Sequence, residues 1–417
     1  MTRLRPVLAI LALAALNAVV WTVALGSYPI ALPPIRILAE YLSTTALVIM
    51  STNLILATRL RPLEGFFGGL DKLFSSHRLN GLVAATVIST HFLVMPKTPG
   101  WTPAWLVGLP TLTLIVIAVL VAIAPRAPWR RLVPLRYQDW KLAHRFNGLL
   151  VAAGVTHSLL AHPVMLALPM LRTWVYGFAT LGLLAYVYRE TVEQVLKERH
   201  VYKVGEPRHV FDDVLEIPLT PDDSPIAFAA GQFAFVRFEG GPTREQHPFT
   251  ISSAPADGRL RFSVKASGDY TRELQRHLSA GSLARVEGPY GRFDYRHGTA
   301  RQLWLAGGIG ITPFLAFVQD VAPEYDVRLV WTVRTESEAA YRGEIEAAFA
   351  DRPNVRFGVH ATSVSGHLRL ADLDLADPPS LSVYICGPVP MRDTFVGQLL
   401  ELGVPRRRIL YEEFSLR

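Results

Sequence analysis

With 417 residues, half of them hydrophobic, and a mean hydropathy of +0.25, the chain is too long for one small domain and too apolar for a disordered one. Its net charge of +7 is modest and sits partly in loops beside apolar runs, which argues against a nucleic-acid footprint but leaves phosphate-bearing cofactors as partners. The single cysteine, Cys386, excludes an intrachain disulfide framework and any cysteine-held iron–sulfur cluster.

The apolar excess lies before residue 190, so a membrane half is expected to precede a soluble half. Arg3 and Arg5 precede an apolar run from Val7 to Leu25, which is too long for a signal-peptide core and suits a retained first span. Further apolar runs cover Ile35 to Ala57, Leu79 to Met95, Trp101 to Ala124, Leu142 to Ala161 and Thr173 to Tyr188, giving an all-α six-helix transmembrane bundle. Pro29, Pro33, Pro34, Pro96, Pro99, Pro125 and Pro128 punctuate the connections. Basic residues set the orientation. Arg59, Arg61, Lys72 and Arg78 lie between spans two and three, and Arg126, Arg130, Arg131, Arg136, Lys141 and Arg145 between four and five. The opposite side holds little beyond Arg36, Lys97 and Arg172, so both termini face the cytoplasm.

A repeated pattern occupies spans three and five: HRLNG at 77–81 followed by His91, and HRFNG at 144–148 followed by His157. His77 and His91 are 14 residues apart and His144 and His157 are 13 apart, about 20 Å along a helix axis in each case. Both spans run from inside to outside, so His77 is level with His144 and His91 with His157. Neutral imidazole is a common axial ligand of haem iron, and two histidines at each of two depths suit two stacked b-type haems. Helical phase supports the first pair of positions better than the second: 14 residues return within about 40°, whereas 13 residues leave His157 about 140° from His144. A bend in the fifth span, with Gly154 as one place for it, or rotated haems would reconcile the phase. His162 is in phase but too far out to match His91, and is expected at the outer surface. Gly81 and Gly148, four residues after His77 and His144, would let a flat macrocycle lie close, and Arg78 and Arg145 could pair with its propionates.

From about Val201 short alternating strands appear, around Arg208 to Ile217, Gly231 to Phe238, Gln246 to Ser252, Leu260 to Ala266 and Ala284 to Glu287, which suggests a small β-barrel. It contains HPFTIS at 247–252, GDYT at 268–271 and GPYGRF at 288–293, signals suited to a flavin ring and a pyrophosphate at a helix N-terminus. After Arg301 the pattern becomes alternating strand and helix, beginning with LAGGIGITP, so an α/β parallel-sheet nucleotide-binding domain is expected. Its glycines lack the GxGxxG spacing of a generic Rossmann dehydrogenase.

HPFTIS, GDYT, GPYGRF, AGGIGITP and CGP together closely resemble the flavin and nicotinamide modules of the ferredoxin reductase family. Here these modules follow a segment that resembles the transmembrane domain of the ferric reductase and NADPH oxidase superfamily. The resemblance implies a transmembrane haem domain over 1–190, an FAD-binding barrel over 199–298 and an NAD(P)H-binding domain over 299–417. It implies that His247, Pro248, Phe249, Thr250, Ser252, Lys265, Gly268 and Thr271 bind FAD, with Thr250 near the flavin N5 edge. It implies that Gly307, Gly308, Gly310, Thr312 and Pro313 form the nicotinamide nucleotide loop and that Cys386, Gly387 and Pro388 lie beside the hydride-transfer site. Phe414 would cover the flavin, although it stands three residues before the end of the sequence rather than at it. Arg334 would hold a 2′-phosphate and tilt the cofactor toward NADPH rather than NADH.

The expected activity is electron transfer from cytoplasmic NAD(P)H through FAD and two haems, held by His77, His91, His144 and His157, across a lipid bilayer to an external acceptor. Dioxygen, giving superoxide, is the favoured acceptor, with a ferric chelate as the alternative. Two other readings stand beside it: electron supply to a periplasmic redox protein docked on loops 96–101 and 161–172, and a flavin reductase anchored by a bundle without haem.

Overall fold

The computed structural model describes residues 5–27, 32–96, 100–124, 137–161, 163–193, 200–239, 245–256 and 258–412. The chain forms two compact units, Met1–Gln194 and Val195–Arg417.

The first unit is helical: α1 (Arg5–Gly26), α2 (Pro34–Leu56), α3 (Arg61–Phe67), α4 (Leu70–Val94), α5 (Pro103–Ile123), α6 (Tyr137–Arg145), α7 (Asn147–Ala161), α8 (Pro163–Ala167) and α9 (Pro169–Tyr188). Proline opens α2, α5 and α9, where its missing N–H costs nothing and its fixed φ favours the first turn. The helix α2 is central: 56% of its apolar stretch is buried, against 28%, 11% and 22% for those of α1, α5 and α9. Gly182 of α9 sits directly on it, since a Cβ there would lie 2.7 Å from the Ser51 carbonyl oxygen. A buried polar network fixes the same three helices. Asn17 of α1 donates to Thr44 and Thr45 of α2 at 3.0 and 2.8 Å, and Trp174 of α9 donates back to Asn17 at 3.1 Å.

Among the described residues, four stretches are long and apolar enough to cross a membrane: Pro6–Gly26, Pro34–Leu56, Pro103–Ile123 and Pro169–Glu193. This corrects the expectation of six equivalent spans. The two that fall short are the histidine-bearing ones. Helix α4 carries Asp71, Lys72 and Arg78 within its length. The fifth run is interrupted at Phe146, which leaves α7 only 15 residues, about 22 Å long against a hydrocarbon core of about 30 Å. The interruption is a tightened turn: the Phe146 N–H bonds to Ala143 O at 3.1 Å and the Leu149 N–H to Phe146 O at 2.9 Å, both three residues back. Each residue in such a turn advances about 20° more than in an α-helix, which rotates His157 in the direction that closes its phase gap with His144. The bend therefore lies beside His144, not at Gly154, which is inside α7.

In the second unit the first sheet contains β1 (His200–Val204), β2 (Arg208–Phe211), β3 (Val214–Pro221), β4 (Phe233–Phe238), β5 (His247–Thr250), β6 (Leu260–Lys265) and β7 (Leu283–Tyr290). Its order is β2-β3-β1-β7-β4-β5, with β6 also on β3. The expected barrel is not closed. Between β5 and β6 the described residues show one bridge, Ile251 with Phe262. Strand β5 has four residues, and Pro248 within it has no N–H to give a second neighbour, so it ends the sheet as an edge. Helix α10 (Asp269–His277) covers this sheet through the buried Leu274.

The second sheet is wholly parallel, with β8 (Arg301–Gly307), β9 (Asp326–Val333), β10 (Val355–Ala361), β11 (Ser382–Cys386) and β12 (Ile409–Glu412) in the order β10-β9-β8-β11-β12. Helices α11 (Thr312–Asp320), α12 (Arg342–Phe349) and α13 (Val389–Glu401) accompany it. The chain leaves β8 toward one edge and returns as β11 on the other side. The crevice at the C-terminal ends of β8 and β11 is thus the topological switch point where open α/β sheets bind ligands. A fork from Arg261 of β6 to Glu344 of α12, at 2.9 and 2.7 Å, joins the two sheets, and Ser263 meets the Tyr341 hydroxyl at 2.6 Å beside it.

Candidate redox sites

At the switch point the glycines divide into two kinds. A Cβ on Gly307 would meet Met391 Sδ at 2.5 Å, one on Gly387 would lie 3.1 Å from Gly307 Cα, and one on Gly310 would overlap the Cys386 carbonyl. These three serve the packing of the β8 and β11 loops on each other. Gly308 differs: its φ is +54°, a left-handed conformation, and nothing lies within 4 Å of the added Cβ. It is the glycine at which a ligand can approach the backbone. Thr312 and Pro313 are buried at the start of α11, and Thr312 Oγ1 bonds to Ile309 O at 3.2 Å, so they shape the loop. Pro388 precedes the first turn of α13. Arg334 follows β9 with its side chain 83% exposed and Glu338 3.9 Å away, open to an anionic group.

Cys386 ends β11, fully buried, in register with Ala306 on one side and Glu412 on the other. Burial pushes its thiol well above the ordinary value, and the Glu412 charge adds to the shift. The side chain is therefore a neutral, compact packing group at neutral pH rather than a thiolate. Phe414 lies outside the described residues.

On the flavin side, Thr250 is 6% exposed, and its Oγ1 is buried without a hydrogen-bond partner. A buried hydroxyl left in this state is unfavourable unless a ligand completes it, so Thr250 fits the flavin role. His247 lies at the other end of β5, stacked on Tyr270 with centroids 3.7 Å apart and bonded to Glu245 at 2.8 Å. Phe249 stands between them in the strand and packs near Phe262. Ser252 and Thr271 are committed to the protein itself. Ser252 Oγ donates to Arg261 O at 2.9 Å. Thr271 Oγ1 accepts the N–H groups of Ser267 and Gly268 at 3.0 Å each and donates to Gly268 O, which uses its full capacity. It shapes the Gly268 turn that begins α10. Lys265 pairs with Asp213 at 3.1 Å.

The four histidines form two levels. His77 and His144 meet with ring centroids 5.9 Å apart and planes at 71°. Two imidazoles bound on opposite sides of one metal, with bonds of about 2 Å, have nearly this separation. His91 and His157 line one cavity of about 410 Å³, among Leu47, Met50, Phe92, Leu109 and Ile115. Gly154 also lines it with open space at its Cβ position, a gap suited to a flat group.

Three of the rings are tethered through Nδ1 to a backbone carbonyl: His77 to Asn53 O at 3.2 Å, His91 to Ala39 O at 2.8 Å and His157 to Ala104 O at 2.8 Å. A carbonyl can only accept, so Nδ1 carries the proton and Nε2 keeps the lone pair that a metal requires. His144 instead has the Asn147 amide 3.0 Å from Nδ1 and stacks on Trp140 at 5.0 Å. Asn53 and Ala39 are 14 residues apart on α2, and so are His77 and His91 on α4, in antiparallel register. By the same rule the Asn147 amide nitrogen donates to His144 Nδ1 and leaves that ring's proton on Nε2. The donor set therefore fits bis-histidine haem at the outer level, and at the inner level once the Asn147 amide turns its oxygen to Nδ1.

Two roles read from the repeat change. The Tyr186 ring fills the space at Gly148, at 2.5 Å from an added Cβ, and Asn53 lies 3.6 Å from that of Gly81, so neither glycine opens onto a gap for a macrocycle. Arg145 is engaged by Glu190 at 2.5 Å, and Arg78 donates to Ser75 at 3.1 Å. His162 is outside the described residues. Sequence reasoning missed the tethers at Ala39, Asn53 and Ala104, which are backbone groups without a side-chain signature. It also missed Tyr270, although that residue stands inside GDYT, and Glu412, which only the register with Cys386 reveals.

Residues 200–294 match an FAD-binding domain family and residues 304–396 an oxidoreductase NAD-binding domain family. The vanillate O-demethylase oxidoreductase of Pseudomonas putida is 31% identical over 174 residues, covering 40% of this chain and 53% of its own. A flavohemoprotein of Bordetella pertussis (strain Tohama I) is 30% identical over 221 residues, covering 47% of this chain and 54% of its own. The chain thus spans about half the length of these curated relatives. A crystal structure of flavohemoglobin from Malassezia yamatoensis, with bound FAD and heme, aligns over 95% of this chain and 99% of its own with a TM-score of 0.51 at 17% identity, a likeness of fold alone. The second unit of this chain therefore consists of an FAD-binding and an NAD-binding oxidoreductase domain.

Proposed function

We propose that the chain is a membrane-spanning oxidoreductase that takes electrons from NAD(P)H on the cytoplasmic side and delivers them to an acceptor outside. FAD, when bound, divides the two-electron delivery of nicotinamide into the single electrons that haem iron accepts. Thr250 would complete its hydroxyl on the flavin, Gly308 would admit the nucleotide to the switch point, and Arg334 would hold a 2′-phosphate. His77 with His144 would hold the inner b-type haem and His91 with His157 the outer one. The observation that carries this reading is the matched 14-residue spacing of tethers on α2 and histidines on α4, which sets two ligand levels about 21 Å apart. We favour dioxygen as the acceptor, giving superoxide, with ferric chelate as the alternative. A second reading, a protein acceptor, draws support from the likeness of the second unit to the vanillate O-demethylase oxidoreductase.

The test is NAD(P)H oxidation by the purified full-length protein in detergent, with and without oxygen, superoxide dismutase and a ferric chelate, alongside a reduced-minus-oxidised spectrum. Bis-histidine haem bands and superoxide formed at the rate of NAD(P)H loss are expected. Absence of haem bands sinks the haem assignment. Oxidation that waits for an added redox protein favours the second reading.

A further inference from the structure

The outer level is built asymmetrically, and one turn of α5 accounts for it. Ala104 O accepts the Nδ1–H of His157 at 2.8 Å. In α-helical register the same carbonyl accepts the N–H of Gly108. A Cβ on Gly108 would overlap the His157 imidazole, with the ring Cγ 3.2 Å away. The Nδ1–Cε1 edge of the ring thus lies against the helix where a side chain is missing, and its Nδ1–H is held one turn earlier. Both Ala104 and Gly108 line the cavity that His91 and His157 share.

We propose that the turn Ala104 to Gly108 is a seat that fixes the ring plane and tautomer of His157, and that Gly108 is a positioning residue for the outer metal-binding level. This rests on the bis-histidine reading above. Any side chain at 108 must swing the imidazole away from α5. That movement lengthens the bond to Ala104, frees Nδ1 from its acceptor and turns Nε2 off its line into the cavity. The tether cannot be removed by changing the side chain of Ala104, because it is a backbone group, so Gly108 is the position through which substitution can disturb it.

The seat also explains how His157 serves despite the helical phase. The tightened turn at Phe146 brings the residue part of the way round, and the missing side chain at 108 admits the ring for the remainder. His77 and His91 need no such device, since they already share one helical face.

The experiment compares full-length wild type, Gly108→Ala, His157→Ala and Gly177→Ala. Gly177 has nothing within 4 Å of an added Cβ and controls for the effect of a helical glycine change. Haem content, low-temperature electron paramagnetic resonance and the histidine ¹⁵N spectrum are measured on each. Wild type and Gly177→Ala should show two low-spin signals. Gly108→Ala should keep the inner signal and hold the outer haem about 10- to 100-fold more weakly, the usual effect of losing a partner behind a ligand. Unchanged g-values and full haem content in Gly108→Ala overturn the seat. The ¹⁵N spectrum reads the seat without haem: the signal missing in His157→Ala should be a protonated Nδ1 in wild type and should shift in Gly108→Ala. If wild type holds no haem, the haem reading fails, and this signal alone decides: a shift supports the seat and no shift overturns it.

Discussion

Replacing Thr250 by valine should change the protein in opposite directions with and without flavin. Thr250 pairs with Phe233 across the β4–β5 ladder, and its Oγ1 is buried with no partner. Valine keeps the shape and the β-branching but removes the hydroxyl. A buried polar group left unsatisfied costs about 1–3 kcal/mol, so without FAD the variant should be more stable by about 1 kcal/mol, at the low end of that range. With FAD bound, the substitution removes a hydrogen bond worth about 1 kcal/mol. The thermodynamic cycle adds the two, and FAD affinity should fall by about 2 kcal/mol, or roughly 30-fold. Flavin fluorescence titration gives the affinity, and urea unfolding of the flavin-free and flavin-loaded protein gives the two stabilities. A flavin-free variant less stable than wild type, together with an FAD affinity within about twofold of it, would refute the reasoning.

Two further substitutions test the nucleotide edge. Cys386 has its thiol held above its unfolded value, so the folded state keeps a proton that the unfolded state releases. The stability from this group is complete below the unfolded pKa of about 8.5 and is lost as pH rises above it, by about 1.4 kcal/mol per pH unit. The urea midpoint of wild type should therefore fall between pH 8 and 10 more steeply than that of Cys386→Ala, and equal slopes would count against the assignment. Arg334→Ala should raise KM for NADPH about tenfold, the loss of one charge-assisted contact, and leave that for NADH within about twofold. Equal changes for both nucleotides would mean that Arg334 does not read the 2′-phosphate.

Much of the second unit is legible in the sequence because its patterns are local. The short aromatic and β-branched runs at 233–238 and 260–265 and the continuous apolar runs of β8 and β11 report directly on strand formation and burial. What stayed hidden depends on distant partners. The spacing of Gly307, Gly308 and Gly310 does not say which glycine meets Met391 or Cys386 and which is open; the crossing of two loops decides that. Whether a sheet closes depends on the far side of β5, where Pro248 withholds a donor. In the first unit the repeat located all four histidines, but the interruption at Phe146 has only Gly148 to announce it, and the matching Gly81 sits in the unbroken helix α4.

The two levels of histidine are set less by the repeat than by α2. The tethers at Ala39 and Asn53 are carbonyl groups of a regular helix, so no single side-chain change on α2 deletes them. Their one vulnerability is axial position, because sliding α2 past α4 by a turn, about 5.4 Å, would displace both acceptors from both histidines together. Side chains on α2 that are fixed lengthwise therefore carry the burden for both levels. Asn17 supplies this from α1 by bonding Thr44 and Thr45, Trp21 adds a bond to Thr44 at 2.8 Å, and Trp174 holds Asn17 from α9. Polar groups in an apolar bundle are tolerated when fully bonded, and a bonded network has one low-energy register where apolar packing alone would have several. The polar cluster thus fixes the axial position of α2 against α1 and α9, and from that position the two carbonyls of α2 meet the imidazoles of α4 at two depths.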